Sequence, residues 1–147
     1  MERFSAAGRV AHPVTQLKVI ALIEDGIGDY RAAGAILAMP FFLALKAQAF
    51  HLAKRTCEAL DVINEAEALV ERSGARLWCV ELYRLRGVFL AALGAEESQI
   101  EASFCKAIRI AKEQKSISLT KRSERAYGEY RWQKTSASGG RGFRLPL

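Results

Sequence analysis

The chain predicts an all-α fold of antiparallel helical hairpins, and three observations carry the prediction. The first is an internal period. With Gly34 set over Gly74, Leu45 falls on Leu85, Lys46 on Arg86, Ala47 on Gly87 and Phe50 on Leu90, a spacing of 40 residues. One extra residue then moves the spacing to 41, so that Ala59, Ile63 and Ala66 fall on Ile100, Phe104 and Ala107. The second is that apolar residues recur at helical spacing inside each copy. The third is that the turns between these segments are short, which makes consecutive helices antiparallel neighbours. Self-similarity at this period marks stacked helical hairpins, a binding architecture more than a catalytic one.

Each element follows from local signals. Residues 1–12 are small and polar and end at His12-Pro13, so a disordered arm is expected. Pro13 opens a helix without losing a needed hydrogen bond. Its face is Leu17, Ile20, Ile23, Ile27 and Tyr30, and Gly34 ends it in the left-handed conformation. A second helix runs from Pro40 to about Ala53. Lys54-Arg55-Thr56 forms the turn, with Thr56 as N-cap. A third, from about Cys57 to Ser73, buries Leu60, Ile63, Ala66 and Val70 and is stopped by Gly74. A fourth, from about Arg76 to Leu93, is stopped by Gly94. Glu96, Glu97 and Ser98 open a fifth, where acidic side chains suit the helix dipole. Past Leu119 the pattern degrades, Tyr127, Tyr130 and Trp132 suggest one weak helical turn, and nothing beyond Trp132 reads as ordered. The expected organisation is therefore an arm over 1–12, a repeat domain over 13–119 and a basic, poorly ordered tail over 120–147.

Small residues recur where paired helices must cross. Ala47 and Gly87 occupy equivalent places on first helices, and Ala66 and Ala107 on second helices. Close approach requires such residues, while Phe50, Ile63, Leu90 and Phe104 fill the spaces between.

Charge divides the chain. The net charge is +6. Residues 1–119 hold 15 Lys/Arg against 14 Asp/Glu, and residues 120–147 hold 7 against 2. The basic character belongs to the tail, so the overall charge says little about nucleic-acid binding by the repeats. Cys57, Cys79 and Cys105 are too widely spaced for a CxxC pair, and an odd count suits reduced thiols in a cytoplasmic protein. The N-terminus lacks a signal-peptide pattern. The apolar run Ile36 to Ala53 contains Pro40, Lys46, Gln48 and His51, which suits a buried repeat helix and not a membrane span.

The small–large spacing resembles tetratricopeptide repeats. Over residues 22–119 the resemblance sharpens. Glu24 through Gly34 (EDGIGDYRAAG), Pro40 through Phe50 (PFFLALKAQAF), Glu58 through Gly74 (EALDVINEAEALVERSG), Glu81 through Gly94 (ELYRLRGVFLAALG) and Glu101 through Glu113 (EASFCKAIRIAKE) resemble the C-terminal repeat region of large bacterial signalling proteins. Those proteins join an adenylate/guanylate cyclase or DNA-binding regulator domain to an ATPase and then to such repeats. The resemblance implies a short tetratricopeptide-like solenoid acting as a non-catalytic protein-interaction module, a fragment or truncated relative of a larger regulator. No cyclase domain and no GxxxxGK[ST] loop is present, so no enzymatic activity carries over. The resemblance stops at Leu119, where the family continues with another hydrophobic helix; a reading-frame slip near residue 120 would give that pattern.

Catalytic, metal and cofactor signals are weak. His12 and His51 have no ligand partner at metal-binding spacing. Gly26-Ile27-Gly28 lacks the third glycine of a phosphate loop, and Glu65, Glu67 and Glu71 suit a solvated helix face. No catalytic, metal or cofactor site is expected. A repeat array binds peptides or helices along its concave face through first-helix side chains, which makes Lys46, Gln48, Tyr83, Arg84 and Arg86 the candidate partner-binding residues. The expected partner is a protein, a peptide or a neighbouring regulatory domain. Exposed apolar ends add the expectation of a homodimer or a marginally stable monomer. The competing class is a nucleic-acid binder acting through Arg131, Lys134, Arg144 and the Gly139-Gly140-Arg141-Gly142 stretch.

Overall fold

A computed structural model describes residues 13–32 and 38–138. Among them it contains helices alone, and the chain is all-α. The helices are α1 (Pro13–Ala32), α2 (Met39–Leu52), α3 (Thr56–Ser73), α4 (Cys79–Ala92), α5 (Glu97–Glu113) and α6 (Ile117–Ser138). The arm expected over 1–12, the stop at Gly34 and the Gly139–Gly142 stretch lie outside the described residues.

Helix ends keep time along the chain. Lys54, Gly74, Gly94 and Lys115 all have left-handed backbones, with φ of 63°, 68°, 68° and 55°. Each follows the previous one by about half of the repeat period. Three of them close their helices in the same way. The N–H of Lys54 donates to the His51 carbonyl (3.0 Å) and that of Arg55 to Phe50 (2.8 Å). Gly94 and Ala95 do the same to Ala91 and Leu90, and Lys115 and Ser116 to Lys112 and Ala111. These paired bonds satisfy carbonyls the helix leaves open and reverse the chain. At two of the sites a lysine carries a conformation that costs a residue with a Cβ about 1–2 kcal/mol.

Three expectations are corrected here. Thr56 is not an N-cap; it is the first residue of α3, and its Oγ1 meets His51 Nδ1 at 3.0 Å. The fourth segment starts as a 3-10 turn, Arg76–Trp78, before α4. The largest correction concerns the tail. Where a poorly ordered chain is expected from residue 120, α6 continues to Ser138. Its inner face follows the repeat by a 41-residue spacing: Ser123 stands at the place of Leu82, Ala126 at Leu85, Gly128 at Gly87 and Tyr130 at Phe89. Ser123 is fully buried with its Oγ unpartnered, and Tyr127 and Tyr130 stack on the Phe104 ring at 5.6 and 5.9 Å between centroids. Ser123 takes the place of a core leucine, and most of the charged residues that hide this helix in the sequence are exposed.

α2 packs on α3 and α4 on α5 as hairpins; α1 packs on α2, α3 on α4 and α5 on α6. In addition α2 touches α4, and α4 touches α6. The first helix of each hairpin thus joins an inner layer of α2, α4 and α6. The second helices share one buried register: Ala59, Val62, Ile63, Ala66 and Val70 in α3, then Ile100, Ser103, Phe104, Ala107 and Ala111 in α5, 41 residues later. The closest approach is at Gly87, where a Cβ would lie 2.9 Å from three atoms of the Phe104 ring.

That contact is tested by Gly87→Ala. Tyr127 and Tyr130 hold the ring, so the methyl group overpacks the hairpin and stability falls by about 1–3 kcal/mol in chemical denaturation. Gly128→Ala, where a Cβ meets nothing within 4 Å, raises stability by roughly 1 kcal/mol through helix propensity. At the first turn, Lys54→Gly removes the left-handed penalty and loses part of that gain to unfolded-chain entropy; thermal melting is expected to register a net stabilisation of roughly 0.5–1 kcal/mol.

Candidate functional site

The inner layer leaves a groove of about 350 Å³ between α2, α4 and α6. On α2 its wall is Phe41, Ala44, Leu45 and Gln48, residues at the i, i+3, i+4, i+7 spacing that lines one face of a helix. The 3-10 turn and α4 add Leu77, Trp78 and Glu81, and α6 adds Leu119 and Arg122. Phe41 and Leu77 are exposed, and the Phe41 and Trp78 rings lie 5.2 Å apart. Large apolar groups held at a concave surface between helices suit the capture of an apolar side chain.

An acid, Glu81, and a base, Arg122, edge the groove, and a second base, Arg84, stands behind the acid. Glu81 accepts from Arg84 Nε at 3.1 Å and Nη2 at 2.6 Å. Arg122 of α6 approaches the same carboxylate to 3.3 Å. Two guanidinium groups on one carboxylate leave the edge with a net positive charge. Arg122 is exposed whereas Arg84 and Glu81 are mostly covered, so Arg122 is the group an incoming anion would meet.

Of the five residues expected to bind a partner, the groove takes Gln48 directly and Arg84 through Glu81. The other three brace the fold. Lys46 pairs with Glu24 of α1 at 3.3 Å. Tyr83 lies under the Lys106 ammonium, 4.1 Å from the ring centroid, against α5. Arg86 reaches across to α3, donating to Glu67 at 2.8 and 2.7 Å and to Asn64. The hydrogen bonds to Glu67 hold its pKa above the ordinary guanidinium value. Phe41, Leu77, Trp78, Glu81, Leu119 and Arg122 were missed by position along first helices. Trp78, an indole in a turn just outside the helical pattern, was the available signal.

A second cavity, about 450 Å³, opens at the other end of α4 and is edged by His51, Phe104, Glu129, Tyr130, Gln133 and Lys134. Lys134 is paired with Glu97. His51 faces Phe89 at 5.0 Å as well as Thr56. Among the described residues no group of His, Cys, Asp and Glu is arranged to hold a metal ion. Cys57 and Cys105 are exposed free thiols; Cys79 is half-buried, and burial pushes its pKa up. Among the described residues no helix is long and apolar enough to cross a membrane.

Comparison with known proteins adds one relative. The chain is 30% identical over 109 residues to an uncharacterized protein of Rhizobium meliloti (strain 1021), an alignment covering 74% of this chain. It spans only 11% of that protein's length. No family model and no solved structure matches the chain.

The His51 ring supplies a pH test. Burial first, and the Lys54 ammonium second, lower its pKa from the ordinary 6.5. The unfolded chain therefore binds that proton more readily than the folded one. The contribution is full above pH 6.5 and is lost as pH falls below it. Melting temperatures measured on either side of this value should decline less on acidification in His51→Gln than in the wild type.

Proposed function

We propose that the chain is a non-catalytic protein-interaction module, a short tetratricopeptide-like solenoid whose inner groove holds a peptide or helix from a protein partner or a neighbouring regulatory domain. The observation that carries this reading is the groove itself. Its walls come from three successive first helices, its floor is apolar, and Arg122 stands exposed at its rim. Such a surface recognises a bulky apolar anchor with an acidic residue nearby. A chain that spans 11% of a relative's length suits a module carried within a longer bacterial regulator. The nucleic-acid reading is weakened because Lys134, one of the basic groups it would use, is engaged with Glu97.

Selection from a displayed random-peptide library on the full chain tests the proposal. The expected consensus has one large apolar residue and one Asp or Glu. Leu77 is two-thirds exposed, so Leu77→Glu leaves the fold intact and should weaken the selected peptides at least tenfold. Arg122→Glu should shift the preference from acidic to basic residues. Selection of no consensus, or peptides indifferent to both changes, would sink the reading.

A further inference from the structure

The two ends of the helix array are complementary halves of one hairpin. Spacing by 40 residues sets α1 over α3, which makes it a second helix with no first helix before it among the described residues. The residues buried in α3 and α5 then have counterparts in α1 that are open. Val19 is 43% exposed where Ala59 is 0% and Ile100 3%. Leu22 is 71% exposed where Val62 and Ser103 are each 7%. Tyr30 is exposed where Val70 and Ala111 are buried. At the opposite end α6 is a first helix with no second helix after it among the described residues. Gly128 stands where Gly87 receives Phe104, yet nothing lies within 4 Å of its would-be Cβ.

Among the described residues, neither end closes by the turn that the repeat uses. The left-handed turn residues Lys54 and Gly94 correspond to Val14 and Thr135, and both of these lie inside helices. Among the described residues, the other half of each hairpin is unoccupied.

We propose that copies of this chain associate head to tail, α6 of one packing against α1 of the next to complete a hairpin in trans and continue the stack. The register of α4 on α5 places Gly128 against Ile23 of the next copy. It also sets Trp132, 66% exposed, beside Val19 of that copy. Charge favours the same pairing. α1 carries Glu24, Asp25 and Asp29 against Lys18 and Arg31, whereas α6 carries five basic residues against two acidic ones. The register brings Arg125 beside Gly26 of the next copy, flanked by its Asp29. A heterologous contact of this kind does not close at two copies; it propagates into a ring or an open filament. This surface is separate from the peptide groove, so the two proposals stand or fall independently.

Sedimentation velocity on the full chain over a wide concentration range is the test. The wild type is expected to grow beyond two copies as concentration rises, with the Trp132 emission shifting to the blue. Leu22→Glu and Gly128→Arg alter exposed positions at opposite ends, and each alone should remain monomeric with unchanged helicity by circular dichroism. An equimolar mixture of the two should form a species of two copies and no larger, because one intact α6 meets one intact α1. A wild type that stays monomeric at every concentration overturns the proposal, whether or not other parts of the chain cover the two faces. So does a Gly128→Arg variant that still dimerises, which would mean α1 packing on α1.

Discussion

The space between Gly87 and the Phe104 ring decides how the rest of the molecule is arranged. A Cβ at Gly87 would lie 2.9 Å from three ring atoms, closer than carbon atoms pack, so α4 and α5 are held nearer than side chains on both would allow. The ring is completely enclosed. Its other surroundings include Tyr127 and Tyr130 of α6. One contact therefore sets the α4–α5 hairpin and the seat of the following helix together. The seat of α6 in turn places Leu119 and Arg122 on the groove beside Trp78 and Glu81. Packing at crystal-like density transmits such a constraint, since neighbours have no slack in which to absorb it.

The hairpins were legible because the crossing residues are the least negotiable part of the repeat. Ala47, Gly87, Ala66 and Ala107 are buried in the structure, at places where periodicity alone exposes them as small among large. The turns were only half legible. A glycine announces a left-handed residue, but Lys54 and Lys115 adopt the same conformation with nothing in their chemistry to advertise it. Their geometry is imposed by the packing of the helices on either side. The last helix was hidden by composition. Ser123 replaces a buried leucine, so the strongest apolar mark is lost even though the register persists, and an unpartnered buried hydroxyl costs about 1–3 kcal/mol relative to a satisfied one.

Reading the groove from sequence fails for a different reason. Residues that look like surface recognition groups on a helix, Arg86 above all, are consumed in joining one helix to the next. A guanidinium that donates to Glu67 and Asn64 across α3 has little left to offer a partner. The groove is assembled from three helices far apart in the chain, so none of its residues stands out within its own segment. Gln48 is found by its place on a first helix; Phe41 and Trp78 become a pair only when α2 and the turn before α4 are brought side by side.

The stability of a repeat array is close to a sum over neighbouring interfaces, and its terminal helices have one interface fewer than the rest. In this chain the shortfall is unequal. The outer side of α6 is largely charged and tolerates water, whereas α1 presents exposed Val14, Leu17, Val19 and Leu22 along much of its length. Apolar area left in water forgoes roughly 25 cal/mol for each square ångström that a neighbour would cover. α1 is therefore the element whose attachment would gain most from a neighbour, and that gain would reach the rest of the array through α2. Any partner that covers α1 binds the folded state alone and stabilises it by mass action. Cover on α1 would thus add to a fold that the interfaces from α2 to α6 already hold.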